Sequence, residues 1–176
     1  GVQIDNCGNV DPAMGPAITN ASTTSTVTIS NSTITDNFSD ACGAITNYGS
    51  MIILNSSITA NEASTSYGGA ICSSGPDGTL GITGSWINNN STENADNGLG
   101  GALFLSEGST SIEGSEIKGN TAARYGGGIY ADDGSLYIYQ TNISLNHGTY
   151  GGGFFSAVDS LTVNQSLIGE NSSSGN

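Results

Sequence analysis

The sequence predicts an all-β fold, a right-handed parallel β-helix solenoid of about six rungs of 24–30 residues, each rung being one turn of the solenoid. Three observations predict it. A short motif recurs six times, apolar and polar residues alternate around each copy, and glycine is abundant while charge is scarce. The 176-residue chain has 27 glycines and only 10% charged residues, whereas a globular domain carries about a quarter charged residues. This composition and recurrence indicate a repeat protein.

The recurring motif reads Ser-x-Ile-x-x-Asn and is clearest from Ser115 to Asn120. Its six isoleucines serve as anchors for the register: Ile34, Ile58, Ile87, Ile117, Ile143 and Ile168. A small hydroxyl residue stands two positions before each anchor: Ser32, Ser56, Ser85, Ser115, Thr141 and Ser166. An asparagine follows three positions after each anchor, and these asparagines are predicted to form a structural ladder: Asn37, Asn61, Asn90, Asn120, Asn146 and Asn171.

Each rung is predicted to hold three short strands, because apolar residues alternate with polar ones around three points of the repeat. One strand follows a glycine run, the second precedes the anchor, and the third contains it. Equivalent residues of neighbouring rungs then stack about 4.8 Å apart. The asparagine column lies at a corner, where its amides bond along the stack. Glycines at the next corner permit positive φ and a close approach of neighbouring rungs.

Two regions follow from this register. Residues 1–14 do not match the repeat, and we expect them to cover the first rung or to act as a strand exchanged with a neighbouring molecule. Residues 15–176 are predicted to form the β-helix domain, with its longest excursions at residues 73–78 and 91–98. The sequence stops where another glycine corner would begin, which would expose strand edges. We therefore expect either a piece of a longer chain or a homo-oligomer whose copies stack end to end into a filament.

The charge of the chain restricts its partners. The net charge is −13, and Lys118 and Arg124 are its only lysine and arginine. Nucleic acid is therefore not an expected partner, since phosphate binding needs basic residues. The sequence also has no run of about twenty apolar residues that would insert into a membrane. Abundant Ser, Thr, Asn and Gly with little lysine favours an extracellular or cell-surface location.

Three cysteines, Cys7, Cys42 and Cys72, fall in the first half of the chain. Cys42 and Cys72 flank glycine corners of neighbouring rungs, and a disulfide from Cys7 to one of them is one interpretation. Buried free thiols that pack as small apolar side chains are the other. No Cys-x-x-Cys pair is present, which argues against a zinc site.

Several Asn-x-Ser/Thr triplets are candidate glycosylation sites of a surface protein. Six of them have their asparagine off the ladder: Asn20, Asn31, Asn55, Asn89, Asn142 and Asn164. Three more lie on the ladder at Asn37, Asn90 and Asn171, where burial would make them inaccessible. A chain rich in Asn and Ser also produces such triplets by chance, so both interpretations stay open.

Outward-facing aromatic residues are the candidate ligand surface, since such rings stack on sugars or on partner proteins. The alternative is that the rings stack on one another between rungs. The five candidates are Trp86, Tyr130, Tyr137, Tyr139 and Phe155.

The sequence does not predict a catalytic site. Asp132-Asp133 and His147-Gly148 resemble fragments of polysaccharide-hydrolase motifs, but their spacing places them about half a rung apart. Asp132-Asp133-Gly134 is predicted to be a turn, and no paired-carboxylate mechanism can be built from these positions. No catalytic, cofactor-binding or metal-binding residue is therefore predicted, although calcium at the acidic turns stays an open alternative.

Two repeats, Asn120-Thr-Ala-Ala-Arg-Tyr-Gly-Gly-Gly-Ile129 and Asn61-Glu-Ala-Ser-Thr-Ser-Tyr-Gly-Gly-Ala-Ile71, carry a family resemblance. They resemble the repeats of polymorphic membrane proteins of chlamydiae, which pair Gly-Gly-Ala-Ile with Phe-x-x-Asn, and related surface β-helices of the pectate-lyase-like superfamily. The resemblance covers residues 15–171, with Ile where that family often has Phe.

This resemblance implies a β-helix with an adhesive or structural role at a cell surface. We therefore expect a non-catalytic extracellular structural or adhesive module, with head-to-tail filament formation as one mode of assembly. The alternative function is a carbohydrate-binding or polysaccharide-cleaving β-helix protein.

Overall fold

A computed structural model describes residues 3–5 and 15–175 of the chain. These residues form a parallel β-solenoid of about six rungs and contain no helix, which confirms the predicted all-β solenoid. Four sheets run along the solenoid, and every strand pairs in parallel with its equivalents in the neighbouring rungs. Each complete rung contributes one strand to each sheet, in the order sheet 1, sheet 2, sheet 3, sheet 4.

The strand bounds show how regular the repeat is. Sheet 1 follows the glycine corner and consists of Ile18–Asn20, Ile45–Asn47, Ile71–Ser74, Leu103–Ser106, Ile129–Asp132 and Phe154–Ala157. Sheet 2 consists of Thr26–Ser30, Ser50–Leu54, Thr79–Thr83, Ser109–Glu113, Ser135–Tyr139 and Ser160–Asn164. Sheet 3 contains the anchor isoleucines and consists of Gln3–Asp5, Thr33–Thr35, Ser57–Thr59, Trp86–Asn88, Glu116–Lys118, Asn142–Ser144 and Leu167–Gly169. Sheet 4 consists of Phe38–Ser39, Glu62–Ala63, Ser91–Thr92, Thr121–Tyr125, His147–Tyr150 and Ser172–Ser173.

The prediction of three strands per rung was wrong, because sheet 4 adds a fourth strand after the asparagine. Most strands of this sheet are very short, and Glu62–Ala63 and Ser91–Thr92 have two residues each. Two residues are too few to show the alternation by which a strand is recognised in a sequence. The segment between the ladder asparagine and the glycine corner therefore begins with a strand.

The N-terminal strand makes sheet 3 one strand longer than the other sheets. Gln3–Asp5 pairs in parallel with Thr33–Thr35, in a register that places Ile4 beside Ile34. Residues 1–2, 6–14 and 176 lie outside the described residues.

The core is a single apolar column inside the solenoid. The strand Ser50–Leu54 shows its origin: Met51 and Ile53 are fully buried, whereas Ile52 between them is 39% exposed. This alternation follows from the period of two along a strand. The anchor isoleucines from Ile34 to Ile143 are likewise fully buried, and burying each such side chain contributes about 1.5–3 kcal/mol.

Two tight corners flank every repeat strand of sheet 3, and each places one residue in the left-handed backbone region. The residues before the strand have φ of +47° to +59°: Asn31, Asn55, Gly84, Gly114, Gln140 and Gln165. The residues after the strand have φ of +54° to +65°: Asp36, Ala60, Asn89, Gly119, Leu145 and Glu170. This conformation costs a residue with a Cβ about 1–2 kcal/mol. Ala60 and Leu145 therefore hold it only because the rungs on either side impose it.

Neighbouring rungs come closest at the glycine corner. A Cβ on Gly127 would overlap the carbonyl oxygen of Gly152 in the next rung and the backbone of His147. Only glycine fits here, which explains why the glycine run recurs at this corner.

Candidate functional site

The asparagines form a continuous hydrogen-bonded ladder from Asn37 to Asn171. In each rung the amide Nδ2 donates to the Oδ1 of the next asparagine at 2.9–3.0 Å. The same Oδ1 also accepts the backbone N–H of the preceding asparagine at 2.9–3.0 Å. A third bond joins Nδ2 to the carbonyl of the anchor isoleucine one rung earlier, as from Asn120 to Ile87 at 2.9 Å. The ladder thereby satisfies backbone groups that the corner would otherwise leave unpaired.

The hydroxyl residues form a second ladder, whose role the sequence analysis did not assign. The backbone N–H at this position donates to the hydroxyl oxygen of the next rung at 3.1–3.3 Å. Each hydroxyl donates to the carbonyl two residues earlier at 2.8–3.0 Å. The recurrence of Ser or Thr was therefore a signal for a specific hydrogen bond.

A third, shorter ladder contains Asn20, which was a glycosylation candidate. Asn20 is only 3% exposed, and its Nδ2 donates to Asn47 Oδ1 at 2.9 Å. Asn47 continues the ladder to the hydroxyl of Ser73 at 3.0 Å. In the folded chain this burial leaves no room for a glycan on Asn20.

The other candidate glycosylation residues differ in exposure. Asn142 is half-buried in its sheet 3 strand. Four are exposed: Asn31, Asn55, Asn89 and Asn164. The first three occupy the left-handed corners. Among the triplets on the ladder, Asn37 and Asn90 are 1% exposed and take part in its hydrogen bonds.

A disulfide joins Cys42 to Cys72 across neighbouring rungs, with a Cα–Cα distance of 5.7 Å. This pairing differs from the predicted bond between Cys7 and one of these residues, since each of them already has a partner. Cys7 lies outside the described residues. The register between rungs could have indicated the bond. The backbone of Cys42 is aligned with that of Tyr67 in the next rung, and the backbone of Cys72 with that of Phe104. The rings of Tyr67 and Phe104 are in contact, with 4.5 Å between their centroids. The disulfide therefore occupies the positions that are equivalent to this aromatic contact in the preceding rung.

Six aromatic residues form a surface that we call the aromatic strip: Tyr67, Phe104, Tyr125, Tyr130, Tyr150 and Phe155. Phe104, Tyr130 and Phe155 stack along sheet 1 at 5.5 and 5.6 Å, with ring planes within 3° of parallel. Beside them, Tyr125 stacks on Tyr150 at 5.1 Å. Tyr125 also contacts Phe155 at 4.9 Å. The strip therefore consists of rings that stack on one another between rungs.

The five predicted aromatic ligand residues do not form one surface. Tyr130 and Phe155 belong to the aromatic strip on sheet 1. Tyr137 and Tyr139 stack on each other at 6.2 Å on sheet 2. Trp86 lies on sheet 3 and is 51% exposed. Sequence alternation identified these residues as outward-facing, but it could not tell which outer face each would occupy.

The residues considered for catalysis lie on different sheets. Asp132 ends a strand of sheet 1, whereas His147 begins a strand of sheet 4, where its Nδ1 lies 2.9 Å from Ser172 Oγ. Lys118 lies in sheet 3. Arg124 lies in sheet 4, donates to the carbonyl of Asp96 at 2.6 Å and sits 4.9 Å from the Tyr125 ring centroid.

Two ionisable groups are perturbed by their surroundings. Burial raises the pKa of Glu62, and the nearby Glu93 carboxylate raises it further. Burial also raises the pKa of the Tyr130 phenol, with further contributions from the negative charge of Asp132 and a hydrogen bond to it, from Tyr125 and from Asp133. Asp132 and Asp133 therefore place negative charge beside the Tyr130 phenol.

Within residues 3–5 and 15–175, no three or more His, Cys, Asp or Glu side chains are grouped so that they could hold a metal ion. The described part of the chain also contains no helix long and apolar enough to cross a membrane.

Comparison of the chain with protein-family models, with curated proteins and with solved structures found no match. The fold class that the chain's own geometry defines is therefore a parallel β-solenoid of about six rungs.

Proposed function

We propose that the chain is a non-catalytic structural or adhesive module of an extracellular or cell-surface protein. Its rungs form a rigid rod, and its outer faces and corner loops supply the contacts with partners. The resemblance of its repeats to those of chlamydial polymorphic membrane proteins supports the same role.

The observation that carries this proposal is the unbroken asparagine ladder from Asn37 to Asn171. Together with the hydroxyl ladder, it ties every rung to the next at the corners flanking sheet 3. A rod supported in this way holds its surface in a fixed geometry along its whole length. Such rigidity is the property that a spacer or an adhesive surface needs.

The Cys42–Cys72 disulfide supports the extracellular location. Structural disulfides form and persist in oxidising compartments and are rare in the cytosol. The scarcity of lysine and arginine points the same way, since the polar surface is supplied by Ser, Thr and Asn.

End-to-end assembly is part of the proposal. In the last described rung, Leu161, Val163 and Ile168 occupy core positions and are 38–42% exposed. A rung in the same register, whether from a longer chain or from a second copy, would bury them. Electron microscopy of the purified chain tests whether a second copy supplies this rung. Filaments that lengthen with protein concentration support stacking of copies, whereas single short rods at high concentration refute it.

A polysaccharide assay separates this proposal from the alternative that the chain is a polysaccharide-cleaving enzyme. The chain is incubated with a panel of neutral and acidic polysaccharides, and the release of new reducing ends is measured. We expect no release. Cleavage that disappears in the Asp132→Asn/Asp133→Asn variant, while the variant keeps its melting temperature, would overturn the non-catalytic proposal.

A further inference from the structure

A column of carboxylates lies beside the aromatic strip. Glu107, Asp133 and Asp159 occupy the turn between sheets 1 and 2 in three successive rungs and line one surface groove together with Pro76. Glu107 and Asp133 adopt the same left-handed conformation, with φ of +62° and +55°. We call these three carboxylates the acidic column.

Asp132 connects the acidic column to the aromatic strip. Tyr130 and Asp132 are two residues apart in one strand, so their side chains share the outer face of sheet 1. Burial raises the pKa of the Tyr130 phenol, and the negative charges of Asp132 and Asp133 raise it further. The negative charges of Asp132 and of Asp133 in the column therefore lie close enough to act on the Tyr130 ring.

Within the described residues, Lys118 and Arg124 do not neutralise the column. Lys118 belongs to sheet 3 and Arg124 to sheet 4. The guanidinium of Arg124 is directed to the Asp96 carbonyl and the Tyr125 ring. Arg124 therefore lies on the Tyr125 ring of the aromatic strip and is not paired with the acidic column.

We propose that the aromatic strip and the acidic column together bind a lysine- and arginine-rich segment of a partner polypeptide. The carboxylates pair with the cationic head groups, and the apolar stems of those side chains pack along the rings. The net charge of −13 draws such a segment in and repels acidic competitors. This inference rests on the proposed adhesive function and specifies the chemistry of its partner.

A sugar chain fits this surface less well than a basic peptide does. Stacking on a sugar requires a free ring face. Phe104, Tyr130 and Phe155 turn their faces towards one another and are half-buried in their stack. Ring edges bordered by carboxylates match long side chains with cationic ends.

Fluorescence anisotropy of a labelled oligolysine peptide tests the proposal on the full 176-residue chain. Neutralising the column in the Glu107→Gln/Asp133→Asn/Asp159→Asn variant is expected to weaken binding about tenfold at low salt. The effect should shrink as salt is added, because exposed ion pairs are screened.

A second triple variant controls for net charge. Asp36→Asn/Asp96→Asn/Glu170→Gln removes the same number of charges from exposed positions outside the acidic column, and we expect it to weaken binding much less. Equal weakening by both triple variants would show a diffuse attraction to an acidic protein and would overturn the proposed site. Undetectable binding at low salt would overturn it as well.

A pair of aromatic variants tests the strip. Tyr130→Ala/Phe155→Ala is expected to weaken oligolysine binding, whereas Tyr137→Ala/Tyr139→Ala, on the stacked pair of sheet 2, is expected to leave it unchanged. Melting temperatures verify that both variants fold. A neutral oligosaccharide that binds more tightly than oligolysine, in a manner sensitive to Tyr130→Ala/Phe155→Ala, would overturn the basic partner and leave the adhesive function standing. Polysaccharide cleavage would instead refute the proposed function itself.

Discussion

Asn90 shows what a single residue of the ladder contributes. Its Oδ1 accepts from both the backbone N–H and the Nδ2 of Asn61. Its own Nδ2 donates to Asn120 Oδ1 and to the carbonyls of Ile58 and Asn88 at 3.0–3.1 Å. These hydrogen bonds are made by a side chain that is only 1% exposed, so no water can replace a lost partner.

The Asn90→Ala substitution tests this role. It removes the amide and leaves the Asn61 N–H and the Ile58 carbonyl without these partners, so we expect a loss of about 3 kcal/mol in the free energy of unfolding. Urea denaturation followed by circular dichroism measures it. The control is Asn164→Ala, which replaces an exposed asparagine of sheet 2. It should change the free energy of unfolding by no more than about 0.5 kcal/mol. Equal losses in both variants would contradict the ladder's role.

Glu62 makes the stability depend on pH. Its pKa in the folded chain lies above the ordinary value of 4.5, because of burial and then of Glu93. The folded state therefore binds this proton more tightly than the unfolded state, and the cost of ionised Glu62 is relieved as pH falls through its folded-state pKa. The Glu62→Gln variant should melt at a higher temperature than the parent at neutral pH. The difference should vanish below the ordinary pKa, and a constant difference at every pH would contradict this explanation.

The residue positions differ in how far the sequence could predict them. The isoleucine and asparagine columns were predictable because the same side chain meets the same surroundings in every rung. The left-handed corners were not, since Ala60 and Leu145 adopt them without any local preference. The burial of Asn20 could not be predicted because its ladder has only three members, too few to produce a visible repeat.

At the scale of the element, sheet 4 and the disulfide both escaped the sequence analysis for reasons of geometry. Two-residue strands such as Glu62–Ala63 form because the rungs on both sides hold their backbone, so their own side chains show no pattern. The Cys42–Cys72 bond joins residues 30 apart in sequence. The register places both cysteines at glycine corners of neighbouring rungs, but it does not give the distance between their two different columns.

A corner can require glycine because a neighbouring rung lies too close for a Cβ or because the backbone has a positive φ. Gly127 and Gly114 each show one of these reasons. A Cβ on Gly127 overlaps the next rung without any positive φ, whereas Gly114 has φ of +55° and open space around its Cα. We expect Gly127→Ala to destabilise the fold by about 3 kcal/mol or more. Gly114→Ala should cost only about 1 kcal/mol. Urea midpoints of the two variants measure the difference, and the reverse order would contradict the close approach of rungs at the glycine corner.

The disulfide is expected to stabilise the first rungs. Replacing both partners in the Cys42→Ser/Cys72→Ser variant should lower the free energy of unfolding by about 2–4 kcal/mol, mainly by freeing the unfolded chain. Hydrogen exchange should show the loss most strongly in strand Ile45–Asn47, which follows Cys42, and in strand Ile71–Ser74, which contains Cys72. An unchanged urea midpoint would mean that the bond does not constrain the chain. The parent protein under reducing conditions should behave as the double variant does.

At the scale of the whole molecule, the rungs are interchangeable units. Asn120 and Asn146 are 26 residues apart and occupy equivalent places in the ladder. Stability in such a solenoid is the sum of rung and interface contributions. A chain shortened by one whole rung therefore keeps every column in register.

Deletion of residues 120–145 tests this modularity by joining Gly119 directly to Asn146. We expect the shortened chain to fold, with the same circular dichroism per residue and a lower melting temperature. Deletion of residues 133–145 is the control, because it removes the strands of sheets 2 and 3 from one rung and joins sheet 1 to sheet 4. That control should lose its cooperative transition. Equal behaviour of the two deletions would contradict the rung as the unit of folding.

The asparagine ladder also gives the rod a dipole along its axis. The backbone N–H bonded to each Oδ1 fixes the orientation of the amides from Asn61 to Asn171. Along the ladder itself, each Nδ2 donates to the Oδ1 of the next rung towards the C-terminus. Their dipoles consequently add along the axis, as peptide dipoles add along a helix. Inside a water-free corner, aligned amides polarise one another. The two ends of the rod are thereby electrically inequivalent, so a charged group that approaches along the axis meets a different potential at each end.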